Sequence, residues 1–149
     1  MNDEEKRYTE MVTHLETTYP KMFAGKYGGL AIGEGWWPLV EQLCNHIQLH
    51  IDQQNSAHER WPDDPYYKAV PQVTIQQIKE KFGGLRFYFE GGDEYCRGAA
   101  WFAEKLSTSI CEECGAPGKQ SGDGWIKTLC PTHAAERDEE RRKRFSTED

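Results

Sequence analysis

The chain has 149 residues, 37% hydrophobic and 12% aromatic, with a formal net charge of −7 and a sequence pI near 5.3. That length allows one ordinary domain, or a small domain with an appendage, and the aromatic content excludes a disordered chain. The acidic balance argues against nonspecific nucleic-acid binding as the main task, and no apolar run nears the roughly 20 residues a bilayer span needs.

The N-terminal Met1-Asn2-Asp3-Glu4-Glu5 lacks the basic and apolar regions of a signal peptide, so a cytoplasmic location is expected. Residues 3 to 18 read as an amphipathic helix, because Tyr8, Met11, Val12 and Leu15 recur at helical spacing and Pro20 closes the segment. A glycine-rich stretch follows, Gly25 to Gly35. It reads as turns, since it lacks the phosphate-cradling pattern with its lysine and Glu34 would repel an anion. A second helix starts at Trp36-Trp37-Pro38, where a first-turn proline is tolerated, and its apolar face is Val40, Leu43, Cys44, Ile47 and Ile51. The pattern fades at Gln53-Gln54-Asn55-Ser56, so residues 56 to 72 are expected to form an irregular connection.

Residues 73 to 90 are expected to form a β-hairpin. Ile78, Glu80 and Phe82 alternate, Gly83-Gly84 supplies the turn, and Leu85, Phe87 and Phe89 alternate again. The rival reading is a helical stripe of Ile75, Ile78 and Phe82, capped by Thr74 and ended at Gly83. Asp93 reads as the N-cap of a third helix carrying Tyr95, Ala99, Phe102 and Leu106 at helical spacing. The expected fold is α+β, with helices packed on a small antiparallel sheet over residues 1–109 and a C-terminal treble-clef-like zinc finger ending in a helix over 110–149.

The chemistry concentrates at the C-terminal end. Cys111-Glu112-Glu113-Cys114-Gly115 is followed, fifteen residues after Cys114, by Cys130-Pro131-Thr132-His133. Two residues between ligands let one tight turn present both side chains to a single ion, and zinc takes four tetrahedral ligands of this kind. One structural zinc is therefore expected on Cys111, Cys114, Cys130 and His133. A catalytic zinc keeps a coordination position open for water, which four good protein ligands close. Trp125 and Leu129 read as one face of a strand with Lys127 between them, and residues 132 to 145 as a helix.

Other candidates carry less chemistry. His46 and His50 stand four apart on the second helix, but Ile47 replaces the glutamate of the zinc-protease pattern, so both read as core-flanking. Cys44 and His46, two apart, point in different directions and form no working couple. Lys79, Lys81, Arg86 and Tyr88 would share the polar side of the hairpin. They read either as solvated strand residues or as a basic, aromatic patch for a partner protein, a phosphate or a nucleotide. On the last helix Asp138/Arg142, Glu139/Lys143 and Glu140/Arg144 pair acid before base, and the run Arg141 to Arg144 reads as a solvated helix end before it reads as a nucleic-acid contact.

The segments Ile32-Gly33-Glu34-Gly35-Trp36-Trp37, Ile78-Lys79-Glu80-Lys81-Phe82-Gly83-Gly84-Leu85-Arg86-Phe87-Tyr88 and Cys111 to His133 resemble a family of small uncharacterised phage and bacterial proteins. The resemblance spans about residues 25 to 134 and implies an accessory protein, often phage-encoded, with no catalytic residue to carry over. The expected function is non-enzymatic binding of a host or phage protein, such as a defence or transcription component. The alternatives are nucleic-acid or nucleotide binding through the hairpin patch and the basic helix end, and a metal-dependent hydrolase using His46 and His50.

Overall fold

Asn2 starts the first helix: its side chain accepts the Glu5 N–H at 2.8 Å while the Glu5 carboxylate accepts the Asn2 N–H at 3.0 Å, a reciprocal cap that satisfies two otherwise orphaned donors. In the computed structural model, which describes residues 1–146, this helix, α1, spans Asp3–Thr18. The chain then forms a short strand β1 (Leu30–Ala31), one 3-10 turn (Glu34–Trp36), α2 (Trp37–Arg60), strands β2 (Thr74–Lys81) and β3 (Gly84–Glu90), α3 (Glu94–Ser107), strands β4 (Lys119–Ser121) and β5 (Lys127–Leu129), and α4 (Pro131–Ser146). The class is α+β, as expected. The core gathers Leu15, Met22, Trp36, Val40, Ile47, Ile51, Ile75, Ile78 and Leu85, all buried.

The main sheet is mixed. β2 and β3 form the expected antiparallel hairpin, and β1 adds a parallel edge with Leu30 opposite Ile78 and Ala31 opposite Lys79. Two residues are too few to show a periodicity in sequence. The helical alternative for residues 74 to 82 is excluded by β2. A register shift between Ile75 and Gln77 lets Ile75 and Ile78, three apart, both face the core, since a bulge resets the alternation.

The hairpin turn lies one residue earlier than expected. Lys81 pairs with Gly84, so the turn is Phe82-Gly83, with φ of 54° and 78°. A two-residue hairpin turn of this hand needs positive φ at both central positions, and Phe82 accepts the strained one. Its side chain is consequently 62% exposed rather than on the core face. The outer edge of β3 is closed by α3: Ser107 Oγ accepts the Leu85 N–H and Glu104 accepts the Phe87 N–H, both at 2.9 Å. Covering an edge in this way blocks pairing with another chain.

α2 outlasts its apolar pattern, running to Arg60 rather than fading near residue 56. Its last turns are held by polar contacts instead. Asn55 accepts the Val70 N–H at 2.7 Å and donates to Val70 O at 3.1 Å, and a ring nitrogen of His58 meets Tyr67 O at 2.7 Å.

α3 starts where expected, with the Asp93 carboxylate accepting the Cys96 N–H at 3.1 Å and meeting His50 Nε2 of α2 at 2.8 Å. Partial burial works against the Asp93 charge, but hydrogen bonds from His50 and Cys96 outweigh it and hold the carboxyl below its ordinary range. Asp93→Ala is expected to lower stability by about 1 kcal/mol, as for other lost N-caps. Because the folded-state pKa is depressed, that difference is full at neutral pH and fades as pH falls through the acidic range. Urea melts of both proteins across that range check it.

Gly98 lies inside α3, and a methyl group added there would have no neighbour within 4 Å. Gly98→Ala should therefore raise stability by about 0.5–1 kcal/mol, read as an upward shift in thermal midpoint.

Candidate metal centre and its docking on the sheet

Cys111 and Cys114 lie in a turn closed by the Gly115 N–H donating to Cys111 O at 2.9 Å. Gly115 takes φ +82° there, a conformation glycine adopts without cost. β4 and β5 form the hairpin that follows, and Cys130 and His133 sit at the start of α4. Sγ of Cys114 lies 3.8 Å from Sγ of Cys130, and His133 Nδ1 lies 3.6 Å from the Cys111 sulfur and 3.2 Å from the Cys130 sulfur. All four ligand atoms fall within 4.8 Å of one another. An ion in a tetrahedral site with bonds of about 2.3 Å to sulfur and about 2.0 Å to nitrogen separates two sulfurs by about 3.8 Å and sulfur from nitrogen by about 3.5 Å. The donor set therefore fits one tetrahedral metal ion.

The surroundings favour the thiolate form of Cys111. Burial raises the Cys111 thiol, but backbone N–H groups of Cys130, Cys114 and Glu113 outweigh it and bring it down from 9.0 to about 7. The Cys130 and Cys111 sulfurs raise His133. Thiolates crowded this closely repel one another, and a bound cation removes that repulsion. With Nδ1 toward the sulfurs, His133 Nε2 points at Glu113 (3.6 Å) and Glu136 (3.9 Å). Negative charge on that side of the ring favours a proton on Nε2, the tautomer that leaves Nδ1 to ligate.

The knuckle is built into the rest of the molecule through Gly33-Glu34-Gly35-Trp36. Trp36 is fully buried and its indole N–H donates to Ile110 O at 2.8 Å. The Gly33 N–H donates to the Glu112 carboxylate at 2.9 Å, and the Gly35 N–H to Glu112 O at 2.7 Å. Burial raises the Glu112 carboxyl, with only part of the effect offset by Gly33. A methyl group at Gly35 would strike Cys111 O and Gly115 N, the two ends of the knuckle's closing hydrogen bond.

A second junction lies at the β2–β3 turn: buried Thr128 of β5 donates to Gly83 O at 2.5 Å, and Gln120 donates to Phe82 O at 3.1 Å. Replacing Thr128 by Val keeps the shape and strands Gly83 O in a buried site. That costs about 1–3 kcal/mol, measurable as a fall in urea midpoint with bound metal unchanged.

Lys79, Lys81, Arg86 and Tyr88 fall on the side of the hairpin opposite Ile78 and Leu85. Lys79 and Arg86 pair directly across the strands, Tyr88 pairs with Gln77, and Lys81 stands at the turn. Arg86 bends back to Leu85 O at 3.0 Å, and Lys81 lies over the Phe82 ring at 5.6 Å.

His46 and His50 separate. His46 is exposed, while His50 is tied to Asp93 and stacked on Tyr95 at 4.0 Å. His50, Asp93 and Cys96 form a second cluster, but Cys96 is fully buried and its thiol is pushed up to about 11 by that burial. Its contacts are those of a clamp between α2 and α3. Cys44 is likewise buried and its thiol raised.

Two grooves mark the surface. The stripe Tyr95, Ala99, Phe102 and Leu106 does form one face of α3, but the core takes Cys96, Ala100 and Ala103 instead. Tyr95 and Phe102 are left 50% and 63% exposed, walling a groove of ≈ 310 Å³ against Leu39, Leu43 and His46 of α2. A larger groove of ≈ 460 Å³ lies between α4 and the β4–β5 hairpin, walled by Trp125 and Phe145. Trp125 lies outside β5 and is exposed, not on a strand face shared with Leu129. No helix among the described residues is long and apolar enough to cross a membrane. No family model, no curated protein and no solved structure matches this chain.

Proposed function

We propose that the chain is a non-enzymatic accessory protein, held together by one structural zinc ion, that docks a partner protein in the groove between α2 and α3. The observation that carries the reading is the outward face of α3. A protein surface rarely leaves a tyrosine, a phenylalanine and a leucine side by side in water beside a groove unless something covers them. The small, inward-facing Cys96, Ala100 and Ala103 let α3 pack closely on α2, leaving the bulky residues for contact. A groove between two helices with apolar walls suits an amphipathic helix of the partner.

Zinc is the metal that three thiolates and one imidazole favour, since soft sulfur donors in a tetrahedron disfavour magnesium, calcium and manganese. Four protein ligands leave no open position for a reacting water, which supports a structural role within a treble-clef-like end. The resemblance to phage and bacterial proteins supports an accessory role, with a host or phage protein in the cytoplasm as partner.

Phe102→Asp tests the docking surface. Phe102 touches solvent, so folding stability should change by no more than about 0.5 kcal/mol. Losing a central aromatic anchor costs about 2 kcal/mol or more, roughly thirtyfold in affinity. Calorimetric titration with the partner recovered by affinity capture reads the effect. Unchanged affinity in Phe102→Asp overturns the assignment of this groove.

A further inference from the structure

We infer that the groove between α4 and the β4–β5 hairpin binds single-stranded nucleic acid, with Trp125 and Phe145 as base-stacking platforms and Lys127 and Arg141 on the phosphates. This site is separate from the α2–α3 groove and does not rest on that reading.

Charge sorting within the acidic chain points to it. α4 carries acids and bases in similar number, but the face it turns to the groove holds Arg137, Arg141 and Arg144 at helical spacing, with Glu140 the single carboxylate among the described lining residues. Lys127 of β5 adds a further cation from the opposite wall. Glu136, Asp138 and Glu139 are not among the lining residues, and neither are Arg142 and Lys143. A helix exposed merely for solubility has no reason to gather its arginines opposite a lysine from another element.

The aromatic residues specify the ligand further. Trp125 and Phe145 are 69% and 65% exposed and both line the same groove. Two arginine-flanked rings open to solvent match the stacking platforms and cationic tracks of single-strand binders, whose bases are free to stack; paired bases in a duplex are not. An acidic peptide would use the cations but leave both rings unused. The groove volume is that of a small-ligand site, enough for on the order of one nucleotide, so neighbouring phosphates fall on the flanking cations.

The groove is also preorganised. Arg137 donates from both terminal nitrogens, to Trp125 O at 2.5 Å and to Ser121 O at 3.4 Å. It holds the loop carrying Trp125 against α4 through backbone atoms, leaving the indole free. Arg137 is a positioning residue, and the ligand-facing charge comes from Lys127 and Arg141.

The test is fluorescence anisotropy of zinc-loaded, full-length protein with a short fluorescein-labelled oligothymidylate, and with oligouridylate as the RNA arm. Binding by either strand at low salt is expected, with quenching of tryptophan emission. Two phosphate contacts on a single strand predict that log affinity falls with log salt at a slope of about −1.4. Trp125→Ala should weaken binding roughly tenfold while Trp125→Phe keeps most of it, and Lys127→Glu with Arg141→Glu should remove it. Phe102→Asp should leave it unchanged, so failure here and failure of protein docking are separable. The proposal is overturned by no binding at low salt or by tighter binding of a duplex. It is also overturned if polyglutamate binds equally well with Trp125→Ala silent, which would assign the groove to an acidic peptide.

Discussion

Freshly purified protein should contain one zinc per chain, and Cys114→Ser should lose it and unfold the C-terminal segment from Cys111 onward. Cys114 suits this test because it is exposed. Replacing its sulfur by oxygen removes almost no packing, so any large effect is the loss of ligation. Structural zinc commonly contributes on the order of 10 kcal/mol or more, against a total folding stability of about 5–15 kcal/mol for an ordinary domain. Among the described residues, the hydrophobic cluster beside the site has Cys111, Leu129 and Cys130 as its buried members, which is too little to hold the segment without the ion.

The loss should reach beyond the finger. Ile110 O, Glu112 O and the Glu112 carboxylate accept from Trp36, Gly35 and Gly33, so an unfolded knuckle leaves these donors unpaired at the start of α2. Elemental analysis reads the metal, and near-ultraviolet dichroism of the buried Trp36 reads the junction. Zinc-free protein, purified without chelator, that keeps its native spectrum would overturn the assignment.

The parts of the molecule readable in the sequence are those where one residue type has one use. Three cysteines and a histidine in two tight pairs leave few alternatives, and the structure brings their ligand atoms together. Asp93 after two glycines signals a cap, and alternating residues from Ile78 to Phe89 signal a hairpin. Where sequence pattern and structure part, tertiary contacts override local periodicity. Phe82 looks like a core residue by alternation, but the turn needs that position and the docked β4–β5 hairpin engages its backbone rather than its ring. α2 reaches Arg60 because Asn55 and His58 bond a returning loop, a contact with no periodic signature.

The face chosen by α3 is the most instructive case. Apolar spacing shows that a helix forms, but it cannot tell which of two stripes is inward. Tyr95, Phe102 and Leu106 are the larger residues, yet the face packed on α2 and β3 carries the small Cys96, Ala100, Ala103 and Ser107. Similarly, the segments from Ile32 to Trp37 and from Ile78 to Tyr88 stand out as motifs, and each contains the backbone that seats the metal-binding end. Glycine is required where one backbone crosses another, and no spacing rule says which backbone that will be.

Gly35→Ala should therefore be among the most damaging single-methyl changes in the chain, although residue 35 is remote in sequence from every metal ligand. Its backbone is not in the left-handed region, so alanine carries no conformational penalty there and the effect is purely steric. The added methyl would meet Cys111 O, Gly115 N and Glu112 C. All three are backbone atoms of the knuckle, which cannot rotate away as a side chain can. Overpacking usually costs about 1–3 kcal/mol and occasionally more; a contact against fixed backbone on several sides belongs at or above the top of that range.

Relief requires the knuckle to move off the 3-10 turn. That breaks the Gly35 N–H bond to Glu112 O and disturbs the Gly115 N–H bond to Cys111 O that sets the ligand spacing. The variant should lose about 3 kcal/mol of stability and release zinc to a competing chelator at least roughly tenfold faster, while its far-ultraviolet spectrum at low temperature stays native. Gly98→Ala, with open space around it, is the matched control and should move stability the other way. A Gly35→Ala protein with wild-type melting and wild-type zinc release would show that this segment does not support the metal centre.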